Sequence, residues 1–251
     1  HMDTQLFDYT LPDHLIAQTP ADKRDESKLM VVDRHTQTIS HHVFRNIGEF
    51  LDSNTVLVVN NTEVFNARLK GHKLTGAAIE VFLLEQRSAT QWTCLAKPAK
   101  RLRKDDTIIF SDYLSATVIE KNTHLLLDFN FSGDFYEHLN RDGEVPLPPY
   151  IKVQDPATFQ QRYQTIYASE RGSVAAPTAG LHFTPMLLDQ LRSQGVLVEE
   201  ITLHVGYGTF KPIDAASLHD HEMHEERFRI NAETAKRLNQ YRLEGKRIIA
   251  V

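Results

Sequence analysis

The sequence contains one cysteine, Cys94. A single thiol excludes an internal disulfide and the thiolate clusters of structural zinc sites, and it suits a reducing compartment. Long apolar stretches are missing too. No uninterrupted run of apolar residues exceeds four, against roughly 18 for a membrane-spanning helix, so no segment is expected to cross a bilayer. The N-terminal region has no charged-then-apolar leader pattern, so secretion is not indicated, and His1-Met2 reads as a cloning remnant. Nor is there a basic excess. With 28 Lys and Arg against 33 Asp and Glu, the formal charge is −5. That excludes a generally basic nucleic-acid coat and leaves only a local patch for any contact with nucleic acid.

What remains is an ordinary globular balance, 41% hydrophobic and 24% charged over 251 residues. This suits one large domain or two modest ones. Histidine is abundant, 13 in all, and it is the side chain that changes charge nearest neutral pH.

The patterning changes twice along the chain. A short helix is expected near Pro12 to Gln18, then a hairpin of Leu29 to Asp33 with Thr38 to Phe44, and a helical piece at Ile47 to Leu51. Thr55 to Val59 is apolar on both faces, as in a sheet covered by helices. From Arg68 to about Asn130 the texture is β only, with short strands at Ala77 to Glu85, Gln91 to Lys97, Thr107 to Phe110, Leu114 to Glu120 and His124 to Asn130. Such spacing suggests a small sandwich or barrel. A helix at Asp134 to Arg141 and a proline-rich connector at Gly143 to Tyr150 close it.

Helix and buried-strand patterning then returns. Asp155 to Arg162 reads as a short helix, and Thr184-Pro185 caps a second with Leu187, Leu188 and Leu191 on one face. Val196 to Leu203 is a strand, Asn231 to Leu243 a helix, and Arg247 to Val251 begins a buried strand. The predicted fold class is α/β: a discontinuous α/β domain, 3–67 and 151–251, with an inserted β-barrel-like domain at 68–150. Because ligand-binding loops follow the carboxyl ends of such strands, the piece after Val251 is expected to be lacking.

Several segments could carry chemistry. Gly172 to Thr184 consists largely of small residues and leads into a helix N-terminus, so it could admit a carboxylate or phosphate, or else be a tight packing loop. It lacks the Gly-Lys-Ser/Thr of a Walker loop and the Gly-x-Gly-x-x-Gly of a dinucleotide site. Thr202 to Phe210 sets two glycines and His204 at a strand end, which fits close ligand approach or a plain bulge. His204, His219, His221 and His224 cluster with Glu222, Glu225 and Glu226. Without zincin spacing the cluster suits acid/base work better than a metal, and an exposed polar turn explains it equally well. Lys97 to Lys104 holds five cations in eight residues, which could meet phosphates or be a solvated turn.

Taken in order, these segments resemble one family, the S-adenosylmethionine:tRNA ribosyltransferase-isomerases of queuosine biosynthesis. The matching stretches are Leu15 to Gln18, Val59 to Thr62, Ala67 to Leu69, Ala96 to Arg101 and Pro146 to Ile151. They continue through Arg162 to Thr165, Gly172 to Thr184, Thr202 to Phe210 and His221 to Glu226. Glu63 stands where the family typically has arginine and Asn66 where it often has proline, and the family continues beyond Val251 into a Gly-Thr-Thr-Ser motif. A chain ending at Val251 is therefore expected to have little transferase activity.

The resemblance implies transfer of the ribosyl part of S-adenosylmethionine to 7-aminomethyl-7-deazaguanine at a tRNA wobble position. Epoxyqueuosine forms, and adenine and methionine are released. S-adenosylmethionine is then a consumed substrate, and neither a cofactor nor a metal is implied. Carried onto this chain, the acid/base candidates are His204, His224 and His182, with Glu226 as orienter or base. Substrate contacts fall to Asn61, Arg68, Thr178, Gly180, Gly206, Gly208 and Thr209, and tRNA phosphates to Lys97, Lys100 and Arg101. A cytoplasmic monomer acting on tRNA is expected. Two rivals stand beside this reading. A non-catalytic RNA-binding protein would use the Lys97 to Lys104 patch but lacks the aromatic motifs of RNA-recognition folds, and a histidine-rich metal hydrolase would have to bind metal through residues 204–226.

Overall fold

The computed structural model describes residues 2–147, 151, 162–210, 213, 215–220, 223 and 225–251. The expected helix at 155–162 falls almost wholly outside them, as do Pro148 to Tyr150 of the connector and His221, Glu222 and His224.

A hairpin of β1 (Lys28–Asp33) and β2 (Thr38–Val43) opens the chain. Two strands follow, β3 (Thr55–Asn60) and β4 (Thr62–Val64). Six more, β5 (Arg68–Lys73), β6 (Ala78–Gln86), β7 (Gln91–Lys97), β8 (Thr107–Ser111), β9 (Leu114–Lys121) and β10 (Leu125–Asn130), form an antiparallel ring in the order β5-β6-β7-β10-β9-β8. Pairing of His72 with Ile109 and of Lys73 with Ile108 joins β8 back to β5 and closes the barrel. Inward residues alternate along β6, β7, β9 and β10, and Leu69, Val81, Leu83, Cys94, Ile108, Val118 and Leu127 are fully buried in one core. Helix α1 (Phe135–Asp142), capped by Asp134 on the Tyr136 N–H, packs Phe135 and Leu139 into that core, and β11 (Gly143–Glu144) adds to β5.

The second sheet takes strands from both sides of the barrel in sequence. Its order is β14-β13-β3-β15, where β13 is Leu197–His204, β14 is Arg227–Arg229 and β15 is Arg247–Ala250. Strands β13 and β15 run parallel to β3, and β14 runs antiparallel to β13. β3 is central, with Val56, Leu57 and Val59 buried, as its uninterrupted apolar run requires. Helix α2 (Pro185–Ser193) lays Leu187, Leu188 and Leu191 against Leu57, Phe44 and Phe183. Its cap is Thr184, whose hydroxyl accepts the Leu187 N–H. Helix α3 (Ala232–Leu243), capped by Asn231, is tied to β13 by two hydrogen bonds from Arg237 to the buried Glu199 carboxylate. A short strand, β12 (Glu170–Ser173), pairs parallel with β4 and brings Thr62 and Ser173 together.

Three sequence expectations need correction. The Pro12 to Gln18 helix is a single 3-10 turn, Asp13–Leu15; Pro12 supplies no side-chain cap, and Leu15 is exposed, so no apolar face is buried there. Ile47 to Phe50 belongs to a longer 3-10 stretch, Phe44–Phe50, and Leu51 is the extended residue after it. The strand expected at Val196 to Leu203 lies one residue further on, at Leu197–His204. No described helix is long and apolar enough to cross a membrane.

Candidate active site

The carboxyl ends of parallel strands β3 and β13 lie side by side, since Ile201 is in register with Asn60. Ligands of open α/β sheets bind beyond such ends. Here the chain past β3 is Asn60-Asn61-Thr62, and each side chain is used. The Asn60 Oδ1 accepts the Thr62 and Leu203 N–H groups at 3.2 and 2.9 Å, and its Nδ2 donates to the Leu203 carbonyl. Asn61 takes a hydrogen bond from Thr202 at 2.8 Å and donates to Glu200. The Thr62 hydroxyl is 2.9 Å from His204 Nδ1 and 2.6 Å from the Ser173 hydroxyl, which in turn accepts the Val205 N–H at 2.8 Å. Thr62 and Ser173 are both fully buried.

His204 thus stands on a hydrogen-bonded base at the wall of a cavity of about 530 Å³ between the sheet and the barrel. The barrel side contributes Phe65, Trp92 and Tyr136, and the sheet side Arg171, Gly172, His204, Gly206 and Gly208. The Arg171 guanidinium lies over the Tyr136 ring at 4.7 Å, and Arg227 of β14 pairs with Glu85 of β6, so the two halves are tied across the cavity. Burial pushes the His204 imidazole below the ordinary histidine value. Glu170 opposes that shift, and Arg227 and Arg229 add to it. The neutral ring is therefore the main form at pH 7. Burial also raises the Tyr136 phenol, so it stays protonated and can donate.

Gly172 fixes the ring sterically. A Cβ there would lie 2.5 Å from His204 Cε1 and 2.6 Å from Nδ1. Gly206, by contrast, faces open space, so the close-approach reason expected for it belongs to Gly172 instead. Glu226 accepts the Gly206 N–H at 3.1 Å from an exposed position at the cavity rim.

The other expected site residues disperse. His182 hydrogen-bonds the Ala179 carbonyl and packs on Phe44, and it does not line this cavity. Its neighbour Gly180 is buried against the Tyr167 hydroxyl, where no side chain fits, and Thr178 is exposed on the same turn. The small-residue run is thus used for packing at Gly180. Arg68 pairs with Glu80 and Glu144 and lies over Phe82, whose ring meets Tyr207 at 5.8 Å. Thr209 is exposed on the turn Tyr207–Phe210. His224 lies outside the described residues.

Lys97, Lys100 and Arg101 are exposed on the barrel, where the 3-10 turn Ala99–Arg101 follows β7. Its carbonyls are held from below: Lys73 donates to Arg101, and Lys121 donates to Ala99 and Leu102. Lys97 stands two residues beyond the cavity-lining Leu95, or about 7 Å along the strand. The missed contributors are Thr62, Ser173, Arg171, Gly172, Tyr136 and Trp92. Of these only Gly172 and Ser173, in the small-residue run, carried a local signal.

A family model described as queuosine biosynthesis protein matches residues 4–251. The S-adenosylmethionine:tRNA ribosyltransferase-isomerase of Desulfitobacterium hafniense is 47% identical over 256 residues, covering 100% of this chain and 74% of that protein. Its namesake from Carboxydothermus hydrogenoformans is 46% identical over 254 residues, with the same coverage. A crystal structure of an S-adenosylmethionine tRNA ribosyltransferase from Thermotoga maritima aligns with 97% of this chain and 68% of that one, at 30% identity and a TM-score of 0.42. With the whole length matched at this identity, the chain belongs to the queuosine biosynthesis protein family.

Proposed function

We propose that the protein is a tRNA-modifying transferase-isomerase. It moves the ribosyl part of S-adenosylmethionine onto 7-aminomethyl-7-deazaguanine at the wobble position of a tRNA, giving epoxyqueuosine with release of adenine and methionine. The observation that carries this reading is the cavity beyond β3 and β13, where a half-buried histidine of lowered pKa faces aromatic walls from the barrel. The reaction asks for a flat apolar surface for purine-like rings, a donor for the leaving adenine and a group to handle protons from the attacking amine. Trp92, Tyr136 and Phe65 supply the first. His204 and Tyr136 are the donors, and the rim carboxylate of Glu226 accepts protons. S-adenosylmethionine is consumed, and no further cofactor takes part. The barrel, 68–150, presents tRNA to a site that it lines together with 3–67 and 151–251, in a cytoplasmic monomer.

In this reading Lys97, Lys100 and Arg101 meet tRNA phosphates. Removing Lys100 and Arg101 together lowers the salt dependence of tRNA binding by about 1.4–1.8 units of log–log slope, at roughly 0.7–0.9 per neutralised phosphate. Filter binding between low and moderate salt measures this, and an unchanged slope means that the turn is merely solvated. The reaction itself is tested by quantifying free adenine and methionine from S-adenosylmethionine with the full-length protein. Release should require tRNA carrying the deazaguanine precursor, and release of S-adenosylhomocysteine instead would reject the reading.

A further inference from the structure

We infer that Thr62 and Ser173 fix the tautomer of His204, so that the neutral ring presents an N–H, not a lone pair, to the cavity at Nε2. Counting donors along one chain of hydrogen bonds leads there. The chain begins at a group whose direction is certain, the Val205 backbone N–H, which donates to the Ser173 hydroxyl oxygen at 2.8 Å. The Ser173 proton then needs an acceptor of its own. Ser173 is fully buried, so water does not serve, and the Thr62 hydroxyl at 2.6 Å is the acceptor within reach among the described residues.

Thr62 thus receives a proton from Ser173 and must place its own. Two acceptors are near: His204 Nδ1 at 2.9 Å and the Glu170 carbonyl at 3.4 Å. The second is beyond ordinary hydroxyl hydrogen-bond length, and the first is within it. Nδ1 therefore accepts, and in a neutral imidazole the proton then sits on Nε2. Nε2 has no partner among the described residues, and the ring lines the cavity. The opposite arrangement, Nδ1–H donating to Thr62, turns the Thr62 proton to the distant Glu170 carbonyl. It becomes the preferred one only when the ring gains a second proton.

Thr62 and Ser173 are thereby positioning residues. The catalytic consequence rests on the proposed reaction: His204 hydrogen-bonds an acceptor nitrogen of the leaving purine and does not take a proton from the amine while neutral. The tautomer itself does not depend on that reading.

Nitrogen-15 and proton NMR of the labelled chain at pH 7.5, with a His204→Gln variant for assignment, tests the tautomer without substrate. The expected result is an unprotonated-type Nδ1, a protonated-type Nε2 and a slowly exchanging Thr62 hydroxyl proton coupled to Nδ1. Thr62→Val keeps the shape and should turn a single tautomer into a mixture, with Thr62→Ser restoring it. A protonated Nδ1 in the unaltered protein overturns the inference, whether or not the variants fold. In turnover, Thr62→Val should lower kcat at least about tenfold with KM little changed, as for other residues that orient a functional imidazole, and Thr62→Ser should recover most of it. If the unaltered protein releases no adenine, the proposed reaction fails while the NMR result still decides the tautomer.

Discussion

Gly172→Ala should lower turnover by about 100-fold, the cost of displacing a reacting group by roughly 1 Å, while the protein stays folded. The added Cβ would lie 2.5 Å from His204 Cε1 and 2.6 Å from Nδ1. One of the atoms it meets, Nδ1, is the one held by the buried Thr62 hydroxyl. The ring must shift to relieve the clash, which disturbs the Thr62 hydrogen bond and changes its aim into the cavity. Steady-state kinetics beside a thermal melt separates the outcomes: a low kcat in protein that still melts cooperatively is expected, at a midpoint lowered by the clash and by the positive φ of Gly172, and wild-type turnover would mean that His204 orientation is unimportant.

Leu83→Ala should have the largest effect on stability, about 2–5 kcal/mol for a leucine truncated in a close-packed core. Leu83 is fully buried near the middle of β6, among Leu69, Val81, Cys94 and Leu127. A closed barrel has little freedom to collapse onto the void, since each strand is held by neighbours on both sides. At roughly 2–4 °C per kcal/mol for a chain of this size, the midpoint should fall by about 4–20 °C in scanning calorimetry. A fall of under 1 °C would contradict the packing described.

The barrel and the parallel sheet were legible because their signals are strong and local. β6, β7, β9 and β10 alternate buried and partly exposed residues, and β3 is apolar from Val56 to Val59. The closing strand was less plain: Arg68–Lys73 buries only Leu69 deeply and carries three cationic residues and a glycine. β14 has no buried residue, so no hydrophobic period could mark it. In the site, His204 and Glu226 stood out by residue type near a strand end. Thr62 and Ser173 did not, for a lone hydroxyl in a sequence says nothing of its partner. Their 2.6 Å contact spans 111 positions and exists only because β12 returns beside β4. Arg171 and Tyr136 meet in the same way across the cavity. The family resemblance pointed instead to Thr178, Gly180 and His182, yet the buried Tyr167 hydroxyl excludes a side chain at Gly180.

The central claim is that ribose carbon from S-adenosylmethionine ends on the wobble base. The direct measurement uses S-adenosylmethionine labelled with carbon-13 in the ribose, the full-length protein and tRNA bearing 7-aminomethyl-7-deazaguanine, followed by nucleoside mass spectrometry. The predicted result is that every labelled ribose carbon appears in the modified wobble nucleoside, and that a label placed on the methyl group instead does not. A product carrying the methyl label, or tRNA returned without ribose label while S-adenosylmethionine is consumed, would contradict it.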